Sequence, residues 1–142
     1  MKPWAKQTGF TIVELLIVIV VIGILAVITV VAYNGVQNRG KDSQLDAAVN
    51  QLKKSLELYY VDEGVYPPAC GSDGTGCNAS SLVSYLVPKY LPSLPTTPTT
   101  LNYVRGTTSQ SYGLLVDYLS QANCKTGVNI STGWWGAGVP IC

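Results

Sequence analysis

The chain has 142 residues, 47% of them apolar and 12% charged, with a formal charge of +1 and a mean hydropathy of +0.25. A soluble domain carries about 25% charged residues, so this composition excludes a disordered tail and disfavours an ordinary soluble enzyme. Histidine is absent, which removes the commonest general base and metal ligand, and the near-neutral charge supplies no field to gather nucleic acid.

The apolar excess sits at one end. Residues 15–31 read LLIVIVVIGILAVITVV, and no charge falls between Glu14 and Arg39. At about 1.5 Å per residue, a helix over residues 10–32 is roughly 35 Å long, enough to cross a ~30 Å hydrocarbon core. Its Leu, Ile and Val side chains favour insertion by roughly 4 to 8 kcal/mol in sum, and a central carboxylate opposes it by about 3 kcal/mol. Glu14 lies near the edge, where the cost is smaller, so insertion wins. A cleaved secretory signal fits less well, because its apolar core usually runs about 7–15 residues and carries no acid at its entrance. A plain membrane anchor, with Lys2 and Lys6 inside the cell, explains the run but not what precedes it.

What precedes it is Gly9-Phe10-Thr11-Ile12-Val13-Glu14, behind a short leader with Lys2 and Lys6. This segment resembles the class III signal of type IV prepilins, shared by the pseudopilins of type II secretion systems. The resemblance is strong over residues 6–41. It implies that a membrane peptidase and methyltransferase cuts between Gly9 and Phe10 and methylates the new amine of Phe10. It also implies that Phe10, Thr11 and Glu14 serve filament assembly, with Glu14 five residues into the mature chain. A carboxylate beside a greasy helix is costly unless paired. The amine exposed on a neighbouring subunit, reinforced by its helix dipole, is the expected partner of Glu14. Relatives in this family often carry a proline near mid-helix, close to Val30 and Val31 here; this chain has none, and Gly23 and Asn34-Gly35 are its breakers.

Beyond the span, Leu45, Ala48, Val49, Leu52, Leu56, Tyr59 and Tyr60 form one apolar stripe at helical period, opposite Asp46, Asn50, Lys53, Lys54 and Glu57. A helix from Thr11 to about Val61 is expected, stopped by Gly64 and barred from resuming by Pro67-Pro68. The stripe is the side on which a head packs. After a turn-rich loop over residues 64–78, a short helix is expected within 81–90, capped by Ser80. The proline-rich stretch 91–100 is extended. Strands are expected over 101–105, 112–119, 128–131 and 134–141.

Four cysteines admit three pairings. Their spacing and the lack of histidine argue against a metal site. If the head lies outside the cytoplasm, oxidation follows. The expected bridges are Cys124–Cys142, which would pin the C-terminus, and then Cys70–Cys77, contributing about 3 and 2.5 kcal/mol in a chain-entropy estimate.

The glycine-rich run Gly71-Ser72-Asp73-Gly74-Thr75-Gly76 lacks the strand, helix and lysine of a phosphate loop. Asp62, Glu63 and Asp73 form no compact calcium ligand run. Trp134-Trp135 could offer an aromatic face to a sugar or a base; in a strand, one would be core and the other partly exposed. Two sequons, at Asn78 and Asn129, are short patterns with many chance matches.

The expected fold is α+β: a long N-terminal helix, transmembrane in its first half and amphipathic in its second, with a small antiparallel β-sheet head packed on it. Residues 1–9 form the leader, 10–33 the membrane half, 34–62 the amphipathic half and 63–142 the head. The expected function is that of a non-enzymatic, cofactor-free subunit of an extracellular type IV pilus. Its partners would be itself, the prepilin peptidase/methyltransferase, the inner-membrane assembly machinery and the membrane, with no specific nucleic-acid site. Before assembly it would span the cytoplasmic membrane once, N-terminus in the cytoplasm. The alternatives are a pseudopilin and a membrane-anchored extracellular binding domain.

Overall fold

The structure, a computed structural model, describes residues 9–142; the expected leader with Lys2 and Lys6 lies outside the described residues, Gly9 excepted. The fold is α+β. One long helix, α1 (Ile12–Glu63), is followed by β1 (Gly76–Asn78), a 3-10 turn (Ala79–Leu82), α2 (Val83–Leu86), β2 (Leu101–Arg105), β3 (Tyr112–Val116) and β4 (Cys124–Val128). By internal contacts the chain divides into two units, Met1–Gln37 and Asn38–Cys142.

In the first unit none of the described side chains is buried. Ile17, Ile19, Ile22, Leu25 and Ile28 are all more than half exposed. The best 18-residue window has a mean hydropathy of 3.4, long and apolar enough to cross a membrane. An apolar surface of this extent is unstable in water and calls for lipid or other helices around it. The hydroxyl of Thr29 is already satisfied within the helix, donating to the carbonyls of Leu25 (2.7 Å) and Ala26 (3.0 Å), as a polar group in lipid requires.

In the second unit, α1 turns one face inward. Leu45, Ala48, Val49, Leu52 and Leu56 are buried, with Leu45 and Leu56 at 0% exposure. Leu45, Val49, Leu52 and Leu56 share one core with Leu101, Tyr103, Tyr112, Leu114 and Val116 of the sheet. The spacing explains this: residues 3 and 4 apart on a helix stand on one side, and alternate strand residues face it. Gly64 ends α1 in the left-handed region (φ +72°), its N–H donating to the Tyr60 carbonyl at 2.8 Å. That conformation has no steric cost for glycine.

The sheet is an antiparallel meander in the order β1-β2-β3-β4. Its register lines up Gly76, Val104, Gly113 and Gly127 across the four strands. These residues face away from α1, because Tyr103, Tyr112 and Leu114 face it. The row is thus nearly free of side chains, and Trp134 and Trp135 lie over it. A β-carbon on Gly113 would stand 2.8 Å from Cε3 of Trp134 and 3.0 Å from Cζ3 of Trp135, and one on Gly76 would be 3.2 Å from Nε1 of Trp135. Between these glycines Val104 is 1% exposed, so the sheet is covered on both faces.

Polar contacts tie the 117–123 loop to α1. The buried carboxylate of Asp42 accepts from the backbone N–H groups of Leu119 (2.8 Å) and Ser120 (2.9 Å) and from the Ser120 hydroxyl. Burial works against its charged form, yet these hydrogen bonds outweigh it and hold the carboxyl below its usual range. Beside it the Tyr118 hydroxyl donates to Asp46; burial, then this carboxylate, pushes the phenol up to about 12. At the far edge Lys125 is 3% exposed, its ammonium donating to the carbonyls of Thr132 (3.1 Å) and Trp134 (3.2 Å). Its backbone pairs with Pro140 and Cys142.

Several expectations for the head are corrected. The segment 134–141 is not a strand: glycines at 133, 136 and 138 break it into turns, leaving a single bridge between Lys125 and Ile141. The fourth strand is Cys124–Val128, upstream of the expected 128–131. The second long strand ends at Val116 rather than residue 119, and Gly76–Asn78, expected as loop, pairs with β2. The short helix is a 3-10 turn followed by one α turn, capped by Asn78, whose side chain accepts from the Ser80 N–H at 2.9 Å, and not by Ser80.

Candidate processing and assembly site

Gly9, Phe10 and Thr11 precede α1 without regular structure, and Phe10 is 90% exposed. A β-carbon on Gly9 would meet nothing within 4 Å among the described residues, so none of them requires glycine there. The peptide bond between Gly9 and Phe10 stands in exposed chain without regular structure, just before the first helical turn.

That turn is closed by a capping box. Thr11 accepts the Glu14 N–H on its hydroxyl oxygen at 3.2 Å. In return Oε2 of Glu14 accepts from the Thr11 N–H (2.8 Å) and hydroxyl (2.7 Å). The pair satisfies donors that a helix start leaves open. Thr-x-x-Glu before an apolar run is itself a signature of this box, so the contact was readable from residues 11 and 14. Among the described residues Oε1 of Glu14 has no hydrogen-bond partner, which leaves one carboxylate oxygen for a further donor. The structure thus brings Thr11 and Glu14 together, with Gly9 and Phe10 next to them in the chain.

The cysteines are joined as Cys70–Cys77 and Cys124–Cys142, each pair with its Cα atoms 5.3 Å apart. Cys70 closes the loop over β2, its sulfur 3.2 Å from the Tyr103 carbonyl. Cys142 lies along β4, its N–H donating to the Lys125 carbonyl. The acids weighed for calcium are apart: Asp62 pairs with Lys89 at 2.9 Å and accepts from Tyr90, whereas Asp73 pairs with Arg105. Among the described residues no cluster of acids, cysteines and histidines suits a metal ion.

Residues 4–30 match the prokaryotic N-terminal methylation motif. The chain is 41% identical over 69 residues to the type II secretion system core protein G of Vibrio cholerae, covering 47% of this chain and 46% of that one. It is 32% identical over 80 residues to the type IV major pilin protein PilE of Neisseria gonorrhoeae, covering 56% and 48%. It is 32% identical over 108 residues to the fimbrial protein EcpC of Eikenella corrodens, covering 76% and 66%. The chain therefore spans about half to two thirds of the length of these three curated relatives. No solved structure is a significant match. With its methylation motif at the mouth of an exposed apolar helix and an antiparallel head behind it, the chain belongs to the type IV pilin and pseudopilin family.

Proposed function

We propose that this chain is a filament subunit of the type IV pilus kind, made as a membrane-inserted precursor. Lys2 and Lys6 hold the leader in the cytoplasm while the head is exported. The peptidase cuts between Gly9 and Phe10, where the backbone is exposed and irregular. The requirement for Gly9 then comes from the enzyme's cleft, since no described residue would meet a side chain there. Phe10 becomes the methylated first residue, and the inner-membrane machinery draws the subunit out of the bilayer. The chain is a substrate and a structural part, not a catalyst.

The observation that carries this reading is the half-used carboxylate of Glu14. Oε2 closes the subunit's own helix start, and Oε1 has no hydrogen-bond partner among the described residues. In a bundle of such helices an incoming N-terminal amine can take Oε1 without undoing the cap. Both charges are costly in an apolar medium, so their pairing favours the bundle over the lone subunit. The exposed side chains from Ile12 to Val30 supply its core.

A pseudopilin role is the second reading, favoured by the 41% identity to the secretion protein; the fimbrial match reaches further into the head, covering 76% of this chain. Mass analysis of the mature N-terminus tests both at once. A methylated Phe10 is expected. A start at Met1 or Tyr33 would overturn the processing scheme. Electron microscopy then separates the roles, since surface filaments built of this chain are expected of a pilin only.

A further inference from the structure

Two turns of the head, residues 106–111 and 129–135, face each other across a groove of about 490 Å³, within the roughly 300–1,000 Å³ usual for small-molecule sites. Trp134 lines it, and its indole is held from beneath by the sheet. β-Carbons on Gly106 and Gly113 would stand 3.1 Å and 2.8 Å from its ring atoms, and Trp135 packs edge-on against it at 6.3 Å and 71°. A flat apolar surface so held needs no ordering when a ligand arrives.

The rest of the lining is Gly106, Thr107, Thr108, Ser111, Asn129 and Ser131, none of which carries charge. Thr107, Thr108, Asn129 and Ser131 offer a hydroxyl or an amide, whereas the Ser111 hydroxyl is buried and lies 3.5 Å from that of Thr108. The Ser131 oxygen accepts from the Gly133 N–H, which leaves its proton free to donate. Thr107 and Asn129 are exposed.

Backbone strain gathers in the same two turns. Ser109 (φ 59°), Asn129 (φ 49°) and Trp135 (φ 55°) are the non-glycine residues with positive φ among the described residues. Such conformations are unfavourable for residues with a side chain and persist where surrounding structure enforces them, with a tendency to cluster at ligand sites.

We propose that this groove binds an uncharged saccharide unit. A sugar ring presents one face of C–H groups, which stacks on an indole, and a rim of hydroxyls, which the threonine, serine and asparagine side chains match. A nucleic-acid strand also stacks on aromatic rings, but its binding relies on cations along the phosphates, and no lysine or arginine lines this groove.

The test uses the full chain in dodecylphosphocholine micelles, a detergent without a sugar headgroup. Methyl β-D-glucoside, methyl β-D-galactoside and N-acetylglucosamine are titrated in turn, with saturation-transfer NMR and tryptophan fluorescence as readouts. At least one sugar is expected to bind at millimolar strength, with transfer strongest to the C–H face. Trp134→Ala is expected to weaken binding by about tenfold or more, as loss of a stacking platform does. Asn129→Gly keeps the left-handed backbone while deleting the amide, so it is expected to fold normally and bind about threefold more weakly. Absence of transfer to all three sugars at about 50 mM would overturn the proposal, as this is well above the affinity a stacked, hydrogen-bonded ring provides. So would equal binding by Trp134→Ala, or preference for a single-stranded oligonucleotide over the sugars. If Trp134→Ala does not fold, Asn129→Gly decides, and unchanged affinity in that variant rejects the idea.

Discussion

Trp134 occupies the space in which Gly113 would carry a side chain: a β-carbon there would stand 2.8 Å from the indole. The outer layer of this head is thus built from an absence on the sheet and a pair of rings above it. Gly113→Ala must push both tryptophans outward, because its β-carbon meets Trp134 and Trp135 at once. Overpacking of this kind costs about 1–3 kcal/mol. A lower thermal midpoint and red-shifted tryptophan emission are expected from the full chain in detergent.

Glu14→Ala removes both the cap and the proposed assembly charge, whereas Thr11→Val removes the cap hydroxyl alone. Loss of an N-cap costs about 1 kcal/mol, too little to undo a membrane helix. Both variants are therefore expected to reach mature size. Filament yield in a shear fraction should fall severely for Glu14→Ala and mildly for Thr11→Val. Equal yields from Glu14→Ala and the unaltered chain would show that the carboxylate takes no part in assembly.

Asp42 sets an acid limit on the 117–123 loop. Its folded pKa lies below the ordinary value of 3.8, so the native state binds fewer protons than the unfolded one. Its contribution is complete above that value and fades as pH falls through the lowered folded value. The stability gap between the unaltered chain and Asp42→Asn should therefore be constant from neutral pH down to about 5 and close below 4. Chemical denaturation across that range, with hydrogen exchange at the Leu119 and Ser120 amides, reads it directly.

The Tyr112 hydroxyl is buried with no hydrogen-bond partner among the described residues. Burial, then the nearby Glu57 carboxylate, pushes its pKa upward. An unpaired buried hydroxyl costs roughly 1–3 kcal/mol, and the ring's packing against Tyr66 at 4.5 Å does not depend on it. Tyr112→Phe should be neutral or raise the urea midpoint. A clear loss of stability would reveal a partner for the hydroxyl.

Where one period repeats over several turns, the sequence was easy to read. The stripe from Leu45 to Leu56 announces a helix face, and Leu101, Asn102 and Tyr103 alternate as a strand should, with Val104 buried on the opposite face. Where long-range pairing decides, it was not. The stretch Cys124–Val128 contains a lysine and a glycine and looks like loop, but Lys125 is buried because its ammonium holds two carbonyls of the following turn. Conversely, Trp134-Trp135 looks like strand, but glycines on either side turn the chain, and the rings find their place only on the glycine row of the sheet. At the site, Gly9, Phe10 and Glu14 stood out by motif, and Thr11 could have been read as the partner of Glu14 from spacing alone. The groove beside Trp134 joins turns some 20 residues apart, and no local pattern announces it.

The capping box has a kinetic side. In the proposed filament, a subunit whose first turn is already wound would surrender little conformational freedom on joining its neighbours, so the ordering that slows most docking events is complete before the encounter. Incorporation then depends on how fast fresh subunits reach the growing base, and weakening the box should show first as slower elongation and only later as a weaker fibre.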